Sequence, residues 1–237
     1  MAKFEPLHKD SHGNVKIKAM TNVADLANQH AIGVVVQEFA LAGNQYPIVF
    51  VKNPDSDDYF PVAIMGLEQN KNLFVSADEK WEGRYMPARY THKPLTVVPN
   101  PDDNKMFAIA IDMEASTVQN EEGDALFNED GSESEYLESR KKALMAYVEN
   151  EHITKAFSSL LVENDLLHSQ NINVKVKGKE YNLNGIYIVD EKKLNALSDE
   201  AFLSIRKRGF LGPIYAHLGS MHQVSSLIQR QAQLLED

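Results

Sequence analysis

Hydrophobic and polar positions alternate in short runs along the first half of the chain, which predicts strands rather than long helices. Val15 and Ile17 alternate with polar neighbours over residues 14–18. Residues 32–39 and 46–52 are rich in β-branched and aromatic side chains, the composition of half-buried strands. The polar run 53–58 contains Pro, Ser, Asn and Asp, so it forms a turn, and residues 59–66 pair back antiparallel. Further strands are expected at 72–75, 95–98 and 105–111, and a short helical turn at 22–29 with Asn22 as its cap.

After residue 131 the period changes. Ser132 and Glu135 have the spacing of a capping box, opening a helix that carries Leu137, Leu144 and Val148 on one stripe. Helical character continues through Phe157 and Leu160 to about residue 167, with a break near Asn150. Residues 171–189 form a hairpin turning at 177–179, and helices follow at 191–197 and 199–207. One last helix opens at Gly212-Pro213, with Ile214, Leu218, Met221, Ser225, Ile228, Ala232 and Leu235 as its inner stripe. The fold class is therefore α+β: a curled antiparallel or mixed sheet from the N-terminal two-thirds, packed with C-terminal helices. A single domain is expected, strand-rich over 1–131 and helix-rich over 132–237.

Composition narrows the function classes. A net charge of −10 on 237 residues disfavours nonspecific attraction to nucleic acid or anionic membranes. The basic clusters at 140–142, 175–179 and 206–208 are short and read as solvated faces. The chain has no cysteine, which excludes disulfides, thiol nucleophiles and thiolate metal sites. No apolar run approaches the roughly 20 residues of a membrane-spanning helix, and the charged first ten residues lack the core of a secretory signal. A soluble, cytoplasmic protein is the expectation.

Residues 81–90 gather the only tryptophan, two tyrosines and two arginines. Aromatic faces stack on ligands, and arginine grips carboxylates through two parallel hydrogen bonds, so Trp81, Arg84, Tyr85 and Arg89 form the first candidate binding surface. The bland reading of the same residues is that the aromatics pack a loop on the sheet while the arginines face water. His8 and Asp10 have H-x-D spacing, as in facial iron sites, but they precede any sheet, and no metal is expected. His217 and Ser220 share a helix face without the glycine frame of a nucleophile elbow, and Tyr215 and His217 fit a role in docking that helix on the sheet. Asn128 to Gly131 fails as an EF-hand, because the first and last ligand positions would be Leu126 and Leu137. No nucleotide-binding fingerprint occurs, and no cofactor is expected.

An ordered set of segments resembles the SapC family: His12-Gly13-Asn14, Tyr46 to Phe50, Asn72-Leu73-Phe74, Trp81 to Ala88, Ile111-Asp112, Leu126-Phe127 with Gly131, and Gly209 to Leu218. The set covers roughly residues 8 to 230. This family is named from a gene near a bacterial surface-layer locus, and its members occur beside TonB-dependent receptors, tryptophan-halogenase-like flavoproteins and cupin-like proteins. The resemblance implies a noncatalytic accessory or binding role in envelope-protein modification or TonB-dependent nutrient uptake, with an envelope receptor or a halogenase-like flavoprotein as partner. It also adds Asn72, His12, Asp112, Tyr215 and His217 to the candidate residues. The alternative is an enzyme with an unrecognised, metal-assisted site built from His12, Asp112 and His217. A permease bearing the same label does not fit a chain without a spanning helix. Oligomeric state is open.

Overall fold

The computed structural model describes residues 3–99 and 107–236. The strands are β1 (Phe4–Pro6), β2 (Lys16–Ile17), β3 (Ala31–Gly33), β4 (Ile48–Lys52), β5 (Tyr59–Ile64), β6 (Leu95–Pro99), β7 (Phe107–Asp112), β8 (Val118–Gln119), β9 (Asp124–Ala125), β10 (Leu167–Val176) and β11 (Lys179–Val189). The α-helices are α1 (Lys9–His12), α2 (Ala24–Ala27), α3 (Phe39–Ala42), α4 (Ala88–Thr91), α5 (Glu135–Glu163), α6 (Glu191–Asn195), α7 (Asp199–Lys207), α8 (Leu211–Ser220) and α9 (Val224–Leu234). The chain is α+β, and every strand pair among the described residues is antiparallel. Packing divides it into two compact units, Met1–Thr21 with Ala88–Glu149, and Asn22–Pro87 with Asn150–Asp237. Residues 135–149 of α5 belong to the first and residues 150–163 to the second.

The first unit holds two three-stranded sheets, β1-β7-β6 and β8-β2-β9. Their inward residues Val15, Ile17, Leu95, Ile111 and Leu126 close on Leu137 and Leu144 of α5. The expected strand at 105–111 is β7, with residues 105 and 106 outside the described residues. The start of α5 differs from the capping-box expectation. Ser132 is used in the turn, its N–H and hydroxyl both donating to Asp130 Oδ1 (2.9 and 2.6 Å). Ser134 caps instead, accepting from the Leu137 N–H at 3.1 Å. The break expected near Asn150 is absent, since residues 135–163 contain neither glycine nor proline to cause one.

The second unit is built on the five-stranded sheet β10-β11-β4-β5-β3. Its outer hairpin turns at Lys177 and Gly178, both with positive φ (49° and 89°), as a two-residue hairpin loop requires. The hairpin joins the sheet expected from the N-terminal two-thirds, β11 pairing with β4. Phe39, Phe50, Phe157 and Phe210 form the aromatic centre, with ring centroids 5.1 to 6.5 Å apart. The strand expected at 32–39 stops at Gly33. Beyond it the Val35 N–H donates to Glu38 Oε2 (2.9 Å) and the Val36 N–H to Thr154 Oγ1 (2.8 Å), so side chains replace sheet partners and the chain coils into α3. The strand expected at 72–75 is likewise a turn, because Asn72 Oδ1 takes the Phe74 N–H (2.9 Å) and only Val75 bridges to Trp81.

The single last helix is two helices. Ser220 Oγ donates to the His217 carbonyl (2.6 Å), and the Met221 N–H turns to Leu218 instead, tightening Met221–Gln223 into a 3₁₀ turn. A 3₁₀ residue advances about 120° rather than 100°, so three of them rotate the following helix by roughly 60°. The buried face runs through Ile214, His217 and Ser220 in α8 and, beyond the turn, through Leu227 and Gln231, so that it shares Ile214 alone with the expected apolar stripe.

Candidate functional site

The loop between residues 81 and 86 belongs to the second unit and is fastened at several points. Tyr46, fully buried ahead of β4, donates its hydroxyl to the Tyr85 carbonyl. Burial raises the Tyr46 pKa, so it remains a hydrogen-bond donor across the physiological range. Gln45 Oε1 accepts the N–H groups of both Arg84 (2.8 Å) and Tyr85 (3.0 Å). The Tyr85 hydroxyl donates to Glu38 Oε1 at 2.6 Å, tying the loop to the buried carboxylate that also caps Val35.

Aromatic packing backs these bonds. Trp81 is half-buried, with its ring 6.1 Å from Phe74 and 6.5 Å from Tyr46, and the Tyr46 and Phe74 rings meet edge to face at 4.8 Å. Trp81 Nε1 is buried without a hydrogen-bond partner among the described residues. Gly83 is required for the close approach, since a Cβ there would stand 2.5 Å from the Tyr46 hydroxyl and 2.6 Å from Trp81 Nε1. Gly83→Ala is therefore expected to lower stability by about 1–3 kcal/mol, read as a reduced urea midpoint with an unchanged slope. An unchanged midpoint would mean that the loop is not held this closely.

In front of the loop lies an open cleft of about 500 Å³. One wall is α9 and the turn before it, presenting Gln223, Ser226, Gln229, Arg230 and Gln233. The other is the loop itself, with Glu82 and Arg84, and Asn44, Gln45 and Phe74 complete the lining. Arg230 is committed: its guanidinium lies 4.2 Å from the Phe74 ring centroid and donates to the Leu73 carbonyl and Glu82 Oε2, both at 3.2 Å. Arg84 is exposed, and its guanidinium has no hydrogen bond or ion pair among the described residues. A fixed backbone carrying an uncommitted planar cation suits bidentate capture of an oxyanion.

The other sequence candidates lie elsewhere. Trp81 supports the cleft from behind and is not part of its lining. His217 does not reach it. It is fully buried, donating from Nδ1 to the Ile48 carbonyl (2.8 Å) and accepting the Val189 N–H at Nε2 (3.0 Å). With Ser220 Oγ accepting from the Ile48 N–H (2.9 Å), it pins α8 to β4 and β11, and neither ring nitrogen is free to ligate. Burial pushes its pKa down to about 4. Tyr215 is exposed on α8, and Asn72 is buried in its turn, its N–H donating to the Ala27 carbonyl (2.9 Å).

His12, Asp112 and Arg89 belong to the first unit. His12 is buried, with Nδ1 3.0 Å from both the N–H and the carbonyl oxygen of His8. Asp112 Oδ1 accepts the N–H groups of Lys3 (3.1 Å) and Glu114 (3.2 Å), and Arg89 is exposed on α4. Among the described residues no cluster of three or more histidine or acidic side chains could hold a metal ion, and no helix is long and apolar enough to cross a membrane.

Sequence reasoning passed over Arg230, Asn44, Gln45 and the glutamines of α9. The signal was present, in that residues 221–235 carry four glutamines and an arginine but no acid. No curated protein and no solved structure matches the chain. One family model does, over residues 7–227, and it is the model described as SapC.

Proposed function

We propose, since this chain belongs to the SapC family, that it is a noncatalytic accessory protein that captures a partner or ligand at the cleft beside the 81–86 loop. The carrying observation is Arg84: a solvent-facing guanidinium without a partner among the described residues, on a backbone fixed by Gln45, Tyr46 and Glu38. A backbone held in place before binding leaves only the Arg84 side chain to be ordered, which lowers the cost of association. The family setting supplies the candidate partners, an envelope receptor or a halogenase-like flavoprotein, and the process, envelope-protein modification or TonB-dependent uptake. A soluble, cytoplasmic protein is part of the same proposal.

The test is affinity purification of tagged protein from its own host after mild cross-linking, with wild type and Arg84→Glu run in parallel. Recovery of such a partner by wild type, reduced at least tenfold by Arg84→Glu, is the expected result. Equal recovery by both proteins would remove Arg84 from the binding surface. Recovery of no protein partner by either would end the protein-partner version.

A further inference from the structure

We infer that the ligand taken by this cleft is a sugar acid, a carboxylate carried on a polyhydroxylated scaffold; this rests on the binding role proposed above. Of the two lining arginines, Arg230 already donates from Nη1 to Glu82 and the Leu73 carbonyl and lies over the Phe74 ring, whereas Arg84 has no partner among the described residues and is the first to meet an incoming charge. A carboxylate matches the guanidinium fork with two parallel hydrogen bonds. On a chain of net charge −10 an acid is repelled at long range, so it gains only where such a local cation is exposed.

The rest of the lining selects hydroxyls. Among the described residues Gln229 and Gln233 make no side-chain hydrogen bonds, and the Gln45 oxygen is occupied by the loop, which leaves its NH₂ group open. Carboxamides offer donors and acceptors together, the complement of groups that also do both. Apolar lining is limited to Phe74, and Arg230 already covers that ring. There is thus no open platform for stacking a neutral pyranose and no apolar pocket for a peptide side chain. The volume of about 500 Å³ lies within the usual range for small-molecule sites.

The experiment is a titration of ¹⁵N-labelled protein with a galacturonic acid oligomer of two or three units, the neutral galactose oligomer of the same length, and succinate. The uronate is expected to shift the amide signals of residues 82–85 and of α9, to bind at least tenfold more tightly than either control, and to weaken as salt rises. Arg84→Gln should cost it at least tenfold in affinity. Equal binding of the neutral oligomer overturns the carboxylate part, and equal binding of succinate overturns the hydroxyl part. Should no probe bind while Arg84→Glu still abolishes partner capture, the ligand class is wrong and the binding role survives. Loss of both results removes the two together.

Discussion

Replacing His217 with alanine is expected to lower stability at pH 7.5 by about 3–5 kcal/mol, because it removes a buried ring and leaves two buried backbone groups unpaired. The Ile48 carbonyl and the Val189 N–H each lose their partner, and the edge contact with Phe50 at 5.1 Å is lost as well. The same residue sets a pH dependence. Its folded pKa of about 4 lies below the usual value near 6.5, so between those values the unfolded chain binds a proton that the folded chain refuses. The stabilisation is complete above about pH 6.5 and is lost progressively as pH falls toward 4, at up to about 1.4 kcal/mol per pH unit. Charge at the neighbouring His168 acts on the ring in the same direction as burial. Urea midpoints of wild type measured from pH 8 to 4.5 should fall through this window, and those of His217→Ala should fall less. Parallel curves for the two proteins would show that His217 is not the group responsible.

Phe157→Ala is expected to cost a comparable amount, about 3–5 kcal/mol, through the cavity it opens. Phe157 lies in the second half of α5 and is completely buried. Its ring meets Phe39 at 5.8 Å, Phe210 at 5.1 Å and Phe50 at 6.2 Å, so it joins α3 and the residue that precedes α8 to the sheet. Neighbours on three sides cannot all relax into the space, which places the site toward the costly end of the range. Phe157→Leu, keeping most of the volume, should recover more than half of the loss. Differential scanning calorimetry of the three proteins checks the order. A melting temperature for Phe157→Ala within about 2 °C of wild type would contradict this packing.

The legible parts of the fold were those set by local pattern. The hairpin at β10 and β11, the turn before β5 and the helix Asp199–Lys207 follow from alternation, turn chemistry and caps, which act within a few residues. The misread parts depend on partners far away in sequence. Val36 leaves the sheet because Thr154 takes its N–H, and the last helix divides because Ser220 serves Ile48 and His217 together. Neither partner can be seen in the local pattern, and His217 and Gln231 at the buried positions of α8 and α9 contradict the apolar stripe that the pattern favours.

The candidate site was legible in the same uneven way. Arg84 and Trp81 were flagged by composition, yet Trp81 supports the loop from behind while Arg84 faces the cleft. Arg230, almost 150 positions later, was hidden because an arginine on a polar helix face reads as solvation. Only the fold sets it over Phe74 and against Glu82.

Arg84 is proposed as the charge through which this protein binds. Its most direct test is the affinity of wild type and Arg84→Ala for the partner or ligand recovered, measured on preparations with matched urea midpoints. At least tenfold weaker binding by Arg84→Ala is expected, with stability within about 0.5 kcal/mol, as for an exposed side chain. Equal affinity of two equally folded proteins would contradict it.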